Sequence, residues 1–465
     1  MPSTQALRRP IAGIITGIAL ILVALGFAPH TAAAQNPTRI TFDEAVRIAL
    51  EQNVSLQRAA NNREFDAIGL SRQRNQFLPD LQFNSNGSQN YGRSFAGEFG
   101  VINTTTQNFG ASLSSNVVLF DGFGRTASLH QAENSLEASD HDLTRQRQTV
   151  VFNVMSSYLT LLERREQIRI QTENLESQRQ QLIQIEEFTN VGSRPISDLY
   201  QQQASTANAE LTLINAERLY QLGEVNLIQV LQLDPFGAYE FVSPEVTDAD
   251  LILEQYDVPN MLQQAFDLRS DLRAREADIV ASREGIRAAR SGYWPQLSFG
   301  VSTSSGANSG IFDRSGANFF DQFTDTQRAS NLRLNLSVPL FNRFTTSNNI
   351  QQSKVQYDNA RLALEDLQQN IALDVRQSYL DYVSAEKRLD VSEKQLIAAQ
   401  QALTAEQERY NVGAATLVEL SQARASFVQA SSDRTQARYD FLFQKKLIDY
   451  YMGRLNPTET LFQQP

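Results

Sequence analysis

Residues 126–188 decide the fold, and they read TASLHQAENSLEASDHDLTRQRQTVVFNVMSSYLTLLERREQIRIQTENLESQRQQLIQIEEF. The stretch contains neither proline nor glycine, the two residues that most often interrupt a helix. Apolar residues recur in it at intervals of seven, with one interval of four: Leu129, Leu136, Leu143, Val150, Val154, Leu161, Ile168, Leu175 and Leu182. A seven-residue apolar spacing keeps one seam of a helix against a partner helix. The stretch therefore predicts one long helix in a coiled coil.

The same pattern returns 221 residues later in the chain. The second set is apolar or aromatic at every position: Ile350, Tyr357, Leu364, Ile371, Val375, Tyr382, Leu389, Leu396 and Leu403. The triplet Asn190-Val191-Gly192 also meets Asn411-Val412-Gly413 at this offset. Such agreement without an insertion indicates an internal repeat. We therefore predict one elongated unit made twice, rather than two or three globular domains.

The predicted division of the chain has four parts. They are a signal peptide over residues 1–34, a first repeat over 35–245, a second repeat over 246–453 and a tail over 454–465. The basic pair Arg8 and Arg9 precedes an apolar stretch over 11–28, and small residues end at Ala34, where we expect cleavage. The alternative is an uncleaved anchor, because about 18 apolar residues can just span a bilayer.

Composition excludes several classes of function. The net charge of −11 disfavours nucleic-acid binding, which requires clustered Lys and Arg. The absence of cysteine from the sequence excludes disulfides, thiolate nucleophiles and zinc–thiolate sites. Of the three histidines, His130 and His141 share a helix with no converging acids, and we interpret them as solvent-facing. The sequence predicts a protein that is not an enzyme and that holds no cofactor or metal.

Each repeat also predicts a hairpin between helices. A helical pattern runs from Thr41 to Phe77 and again from about Pro259, and the prolines Pro79 and Pro295 mark the change from helix to strand. After each proline the apolar period becomes two, which is typical of strands. Two strands of about ten residues are expected per half, joined by a Gly/Ser/Asn-rich excursion.

The strands alternate apolar with small polar residues and carry few charges. This pattern suits the wall of a membrane β-barrel, apolar toward lipid and polar toward a wet lumen, although a hairpin on a soluble α+β domain is the alternative. Aromatic residues stand near the strand ends: Tyr91, Phe95, Phe120, Tyr293 and Phe341. Four strands cannot close a barrel, for which about eight are needed, and open edges are prohibitive in lipid. Several chains must therefore share one barrel.

Helix lengths predict a rod that is two helices thick. The long helix is expected to end at Val191-Gly192, and a second helix follows from Ile196 to Leu231. The second repeat turns at Gly413 and continues to about Met452. At 1.5 Å per residue, two shorter helices laid end to end match one long helix, which gives a rod about 100 Å long.

These features together resemble the TolC family of outer-membrane efflux proteins over essentially the whole chain after the signal. The most specific motifs are the Val-Gly turns, Val191-Gly192 before Ile196-Ser197-Asp198 and Val412-Gly413 before Leu417-Val418-Glu419. The resemblance implies a mainly α protein with membrane β structure, in which three protomers give four strands each to one twelve-stranded barrel. Their helices are expected to form a coiled-coil tunnel across the periplasm.

The resemblance also implies function and partners. It implies a homotrimeric exit duct of a tripartite efflux or type I secretion system, passive and without cofactor, in contact with outer-membrane lipid. A periplasmic adaptor is expected to dock at Val191, Gly192, Val412 and Gly413, and an inner-membrane transporter of RND or ABC type is expected to drive export. The alternative is a soluble periplasmic coiled-coil adaptor or scaffold.

Agreement with the family is incomplete at the expected periplasmic aperture. Family members with a ring of carboxylates often have two acids one turn apart; Glu419 fits the first place and Gln422 the second. A tip arginine of some members is replaced by Ala415, while Tyr410 and Asp198 fit other positions that hold the tip closed. The closed state is therefore expected to be held differently or less tightly.

Overall fold

The computed structural model describes residues 37–95, 100–242, 251–309 and 318–455. The predicted signal peptide and most of the tail lie outside the described residues. The first repeat contains, in order, β1 (Thr38–Ile40), α1 (Phe42–Gln52), α2 (Val54–Asn75), β2 (Gln82–Phe95), β3 (Val101–Phe120), α3 (Gly124–Asn190), α4 (Ile196–Leu231) and β4 (Tyr239–Phe241).

The second repeat has the same order of main elements. They are α5 (Val258–Leu268), α6 (Ser270–Arg290), a 3-10 turn (Ser291–Tyr293), β5 (Gln296–Ser309), a short helical turn (Phe319–Asp321 and Gln322–Thr326), β6 (Arg328–Ser337), α7 (Thr345–Asn411) and α8 (Leu417–Tyr451). None of the described helices is both long enough and apolar enough to cross a membrane.

The two long helices confirm the prediction made from the apolar period. The helices α3 and α7 each contain 67 residues, which corresponds to roughly 100 Å. The seam residues Val154 and Leu161 of α3 are buried, as are Val375 and Tyr382 of α7. The helix α3 packs against α2, α4, α6 and α8, whereas α7 packs against α5, α6 and α8. The two repeats therefore lie side by side, joined through the contacts of α3 with α6 and α8.

The helix before each hairpin is broken, so the prediction of one uninterrupted helix in each place was wrong. The break falls at Asn53 between α1 and α2, and at Arg269 between α5 and α6, where the backbone is extended. Asn53 accepts hydrogen bonds from Ser55 and Leu56 N–H and caps α2. Arg269 is buried and pairs with Asp271 at 2.6 Å. Asn53 thus caps the first break with its side chain, the ion pair lies at the second, and neither break contains proline or glycine.

The four long strands form one antiparallel sheet in the order β2-β3-β5-β6. The contact between β3 and β5 joins the hairpins of the two repeats. The predicted strand length of about ten residues holds for β6, which has 10 residues, but was too short for the other three strands, since β2 and β5 have 14 residues and β3 has 20. In the first hairpin the Gly/Ser/Asn-rich excursion itself pairs, from Gln89 with Gln107 to Phe95 with Val101. Backbone hydrogen bonds need no apolar side chain, which is why the composition concealed this extension.

The register gives the sheet two unlike faces, because directly paired residues point to the same side. We call one side the apolar face; it carries Phe83, Leu113, Val117, Leu297, Phe299, Val301, Leu332, Leu334 and Leu336. We call the other the polar face; it carries Asn84, Asn86, Ser112, Asn116, Ser298, Ser302, Asn331, Arg333 and Asn335. Within the described chain, β2 pairs only with β3 and β6 only with β5. Two strand edges are therefore open.

Candidate functional site

The candidate site is the pair of turns at the end of the long helices that is remote from the sheet. The first turn follows α3, where Gly192 adopts a φ of +74° and Ser193 N–H donates to Phe188 O at 2.8 Å. The second follows α7, where Gly413 has a φ of +77° and Ala414 N–H donates to Arg409 O at 2.7 Å. Both are left-handed glycine endings of a helix, as the sequence predicts.

Arg194 of the first turn reaches across to the second turn. Its guanidinium carbon lies 4.4 Å from the centre of the Tyr410 ring, and its Nη2 donates to Tyr410 O at 3.2 Å. Cation–π contacts of this kind contribute about 0.5–2 kcal/mol, and a hydrogen bond adds about 0.5–1.5 kcal/mol. We call this pair the tip latch. It connects the α3–α4 hairpin to the end of α7 within one protomer.

Tyr410 is the centre of a small apolar cluster beneath the latch. Tyr410 is 2% exposed, and Ile185, Leu417 and Leu420 are buried around it. Its hydroxyl is buried without a hydrogen-bond partner among the described residues. Burial raises the pKa of Tyr410 above its usual range, Arg194 opposes that shift and Asp198 adds to it. The ring, rather than the hydroxyl, therefore makes the contacts that hold the latch.

Ala415 is buried in the same cluster, at the place where an arginine was expected. Adding the repeat offset of 221 to Arg194 gives Ala415, so the two positions are equivalent in the two repeats. The arginine is thus present at the tip, but in the first repeat instead of the second. Arg194 was not predicted as a site residue, although the repeat offset of 221 links it to Ala415 and is the signal in the sequence that points to it.

Glu419 forms a complete capping box at the start of α8. Its carboxylate accepts from Thr416 N–H at 2.7 Å and from the Thr416 hydroxyl at 2.9 Å, while Glu419 N–H donates to Thr416 Oγ1 at 3.3 Å. The Thr416 amide, followed by its hydroxyl, holds the pKa of Glu419 below its usual value. Glu419 is exposed, and its lowered pKa keeps it charged near neutral pH.

A second link joins the helices farther from the turns. Arg424 of α8 is buried and donates to Ser177 O of α3 at 3.4 Å and to Gln407 of α7 at 3.3 Å. It borders a cavity of about 280 Å³ between the three helices. Burial lowers the pKa of this guanidinium. Arg424 thus ties α8 to both long helices above the tip.

The other predicted site residues have the following positions. Val191 and Val412 are each 77% exposed at the two turns, Asp198 is half-buried in the first turn of α4, and Gln422 is exposed one turn after Glu419. Pro79 and Pro295 lie just before β2 and β5. The structure brings Asp198, Tyr410 and Glu419 to the same end of the molecule and leaves the prolines at the other.

A rod of paired long helices with a two-faced sheet at one end and two tight turns at the other is the architecture of an outer-membrane channel protein. The family model for "Outer membrane efflux protein" matches residues 45–231 and 261–453. TolC of Escherichia coli strain K12 is 23% identical over 451 residues, covering 95% of this chain and 87% of that protein. The cation efflux system protein CusC of Escherichia coli O157:H7 is 25% identical over 357 residues, covering 74% and 71%.

Solved structures agree in fold. The CmeC outer membrane channel of Campylobacter jejuni superposes with a TM-score of 0.75 at 17% identity, over 90% of this chain and 87% of that one. The open state of the MtrE outer membrane channel of Neisseria gonorrhoeae gives 0.71 at 20% identity, over 90% and 91%. The chain belongs to the outer membrane efflux protein family, the TolC family that its motifs resemble, and its location is the outer membrane.

Proposed function

We propose that three copies of this chain form the exit duct of a tripartite efflux or type I secretion system. In this proposal the three sheets close into one twelve-stranded barrel in the outer membrane, and the helices form a tunnel through the periplasm. The duct is a passive conduit, and an inner-membrane transporter of RND or ABC type supplies energy and selects the cargo. The observation that carries the proposal is the open, two-faced sheet of the single protomer.

The open edges support the assembly. Strands β2 and β6 are the two edges of the sheet and run in opposite directions, so β6 of one copy beside β2 of the next continues the antiparallel order. On the apolar face, Phe83, Leu332 and Leu334 are between 66% and 78% exposed. Lipid can cover such a face, but it cannot pair unpaired backbone edges. Closure by further copies satisfies both requirements.

The helical edges are also matched to a neighbour. On one side of the protomer, α2 and α4 expose Phe65, Ile68, Tyr200, Leu211, Ile214 and Val225. On the other side, α7 exposes Val355, Leu362, Leu373, Leu380 and Val391. Exposed apolar stripes of this extent mark interaction surfaces. We place α7 of one copy against α2 and α4 of the next.

The tip residues receive roles in this proposal. Asp198, Tyr410, Glu419 and Gln422 border the periplasmic aperture. Val191, Gly192, Val412 and Gly413 form the surface on which a periplasmic adaptor docks, and the exposure of both valines supports this assignment. Pro79 and Pro295 end the helices where the tunnel meets the barrel. Export requires the signal over residues 1–34, with cleavage after Ala34. Each of the two repeats, 35–245 and 246–453, forms one half of the protomer.

Membrane fractionation and complementation test the proposal together. The chain should require detergent for extraction and should migrate as a trimer that heat dissociates. In a strain that lacks its own channel but retains pump and adaptor, it should restore export. A monomer in the soluble periplasmic fraction would exclude the duct and would favour the adaptor or scaffold alternative.

A further inference from the structure

The segment between β5 and β6 ends in a helical turn that folds back over the sheet. Residues Phe319–Asp321 form one turn of helix, and Gln322–Thr326 continue it with π-type hydrogen bonding before β6 begins. Asn318 starts the turn, since its carbonyl accepts from Gln322 N–H at 3.0 Å and its side chain accepts from Asp321 N–H at 2.9 Å. This turn lies at the end of the sheet that is remote from the helices.

Three contacts hold the turn on the sheet. The Phe323 ring packs on Phe109 with centroids 5.4 Å apart. The Ser305 hydroxyl donates to the carbonyl of Phe323. Gln322 is buried, and its side-chain oxygen accepts from Asn308 N–H at 3.0 Å. The turn is therefore a built part of the sheet end.

The register determines which side of the sheet the turn covers. Phe109 pairs with Ala307, and Ser305 is two residues from Ala307, so all three point to one side. Residues an even number apart along a strand point to the same side. Phe109 is four residues from Leu113 and Ser305 is four residues from Val301, and both Leu113 and Val301 belong to the apolar face. Ala307 is only 2% exposed because the turn covers it. The turn thus lies on the apolar face, outside the prospective lumen.

The covered region is where the apolar face becomes poor in large side chains. Near the helices the face carries Leu297, Phe299 and Val301, but farther along β5 it carries Thr303, Ser305 and Ala307. Leu297 and Ala307 are ten residues apart, which is roughly 33 Å along a strand and roughly 25 Å along the membrane normal at a tilt of about 40°. That height equals a bilayer's apolar band, so the turn lies at the outer boundary of the band.

We infer that the turn over residues 318–327 is a lipid-binding element that completes the apolar band in the outer leaflet. The inference rests on the proposed function, since it requires the apolar face to contact lipid. Phe323 covers the small residues of β3 and β5, and Phe320, which is 71% exposed, contacts the hydrocarbon at the membrane–water boundary. Aromatic rings are favoured at this depth because their faces are apolar and their edges tolerate headgroups.

Single-tryptophan fluorescence in vesicles tests the inference. The chain contains one tryptophan, so Trp294→Phe provides a silent background for Phe320→Trp in the full-length trimer. The trimers are reconstituted in phosphatidylcholine vesicles whose acyl chains carry bromine, a contact quencher of tryptophan. The Phe320→Trp variant should lose fluorescence, more strongly with bromine near the headgroup end than near the chain terminus. Soluble iodide should quench it weakly.

Two matched variants separate this inference from the proposed function. Leu334→Trp on the apolar face should be quenched by brominated lipid, whereas Phe236→Trp, which is 97% exposed just after α4, should be quenched only by iodide. If Leu334→Trp is quenched and Phe320→Trp responds only to iodide, the turn is not a lipid element and the inference is wrong. If Leu334→Trp is also unquenched in the trimer, the membrane assignment of the apolar face is itself wrong.

Discussion

Arg194 and Tyr410 determine how one protomer holds its tip together. The guanidinium stacks on a buried ring and donates to the carbonyl of the same residue, so one side chain bridges two turns. Lysine at position 194 would not reproduce this geometry, because an ammonium lacks the planar face and the fork of donors. The contact contributes a few kcal/mol at most, so under the proposed function we expect it to hold the tip closed and to break when an adaptor docks.

Removal of the latch should open the channel. Arg194→Ala should raise single-channel conductance in planar bilayers, because each protomer loses roughly 1–3 kcal/mol of contact energy between its turns. Arg179→Ala is the matched control, since Arg179 is exposed on α3 and forms a surface ion pair with Glu210 at 3.4 Å. Tyr410→Phe should leave conductance unchanged, because no described residue forms a hydrogen bond with the hydroxyl. Equal conductance of Arg194→Ala and the wild type would remove Arg194 from the closing mechanism.

Glu419 is predicted to determine ion selectivity of the closed pore. Three copies near the axis would attract cations, as acidic rings do in other channels. Glu419→Gln should reduce cation selectivity and weaken block by divalent ions, while the trimer remains intact because Gln can still accept the bond from Thr416. Gln422 offers no second charge. The comparison is made in single-channel recordings, and unaltered selectivity in the variant would leave Glu419 with the capping role alone.

The lowered pKa of Glu419 also determines in which direction pH changes the helix cap and the cation selectivity. Its pKa in the folded protein is lowered, so the capping contribution is present above the ordinary glutamate pKa of about 4.3 and is lost as pH falls through the lower folded value. Cation selectivity should fall over the same acidic range. In Glu419→Gln the selectivity should respond less to pH over this range than in the unmodified trimer, which recordings at stepwise lower pH would show.

At the scale of elements, apolar periodicity was sufficient to predict the helices that pack along a seam. The bounds predicted for α3, α4, α7 and α8 agree with the structure within a few residues. The breaks at Asn53 and Arg269 were not predictable from that period, since what accompanies them is a side-chain cap at Asn53 and a buried ion pair at Arg269. Such contacts depend on the neighbouring elements, and local composition does not reveal them.

The two tip turns are predicted to matter for function more than for folding. A Cβ added at Gly192 or Gly413 would meet no atom within 4 Å, so the cost of substitution is the left-handed backbone alone, roughly 1–2 kcal/mol. The double variant Gly192→Val and Gly413→Val should therefore fold as a membrane trimer yet lose export. Asn at both positions is the control, since Asn tolerates this conformation. Normal export by the valine variant would show that the adaptor docks elsewhere.

At the scale of the whole molecule, the two sequence repeats share one architecture but differ at the tip. The repeats share their long helices and glycine turns, but only the first supplies Arg194 and only the second supplies Tyr410, whose equivalent by the offset of 221 is Thr189. The latch is therefore made between the repeats and cannot form within either one. The sheet follows the same principle, because β3 and β5 join the hairpins into one wall.

Cysteine cross-linking between β6 of one protomer and β2 of the next tests the central claim, which is that separate chains share one membrane sheet. The natural chain has no cysteine, so engineered pairs have no background. Asn84→Cys on β2 is combined in turn with Asn331→Cys, Arg333→Cys and Asn335→Cys on β6, all on the polar face. Combination with Leu334→Cys, on the opposite face, is the control. Oxidation in membranes should give disulfide-linked dimers and trimers for one polar-face pair and none for the control. If every double-cysteine variant with a polar-face pair yields only uncross-linked chains after oxidation in intact membranes, the protomers do not share a sheet and the account is wrong.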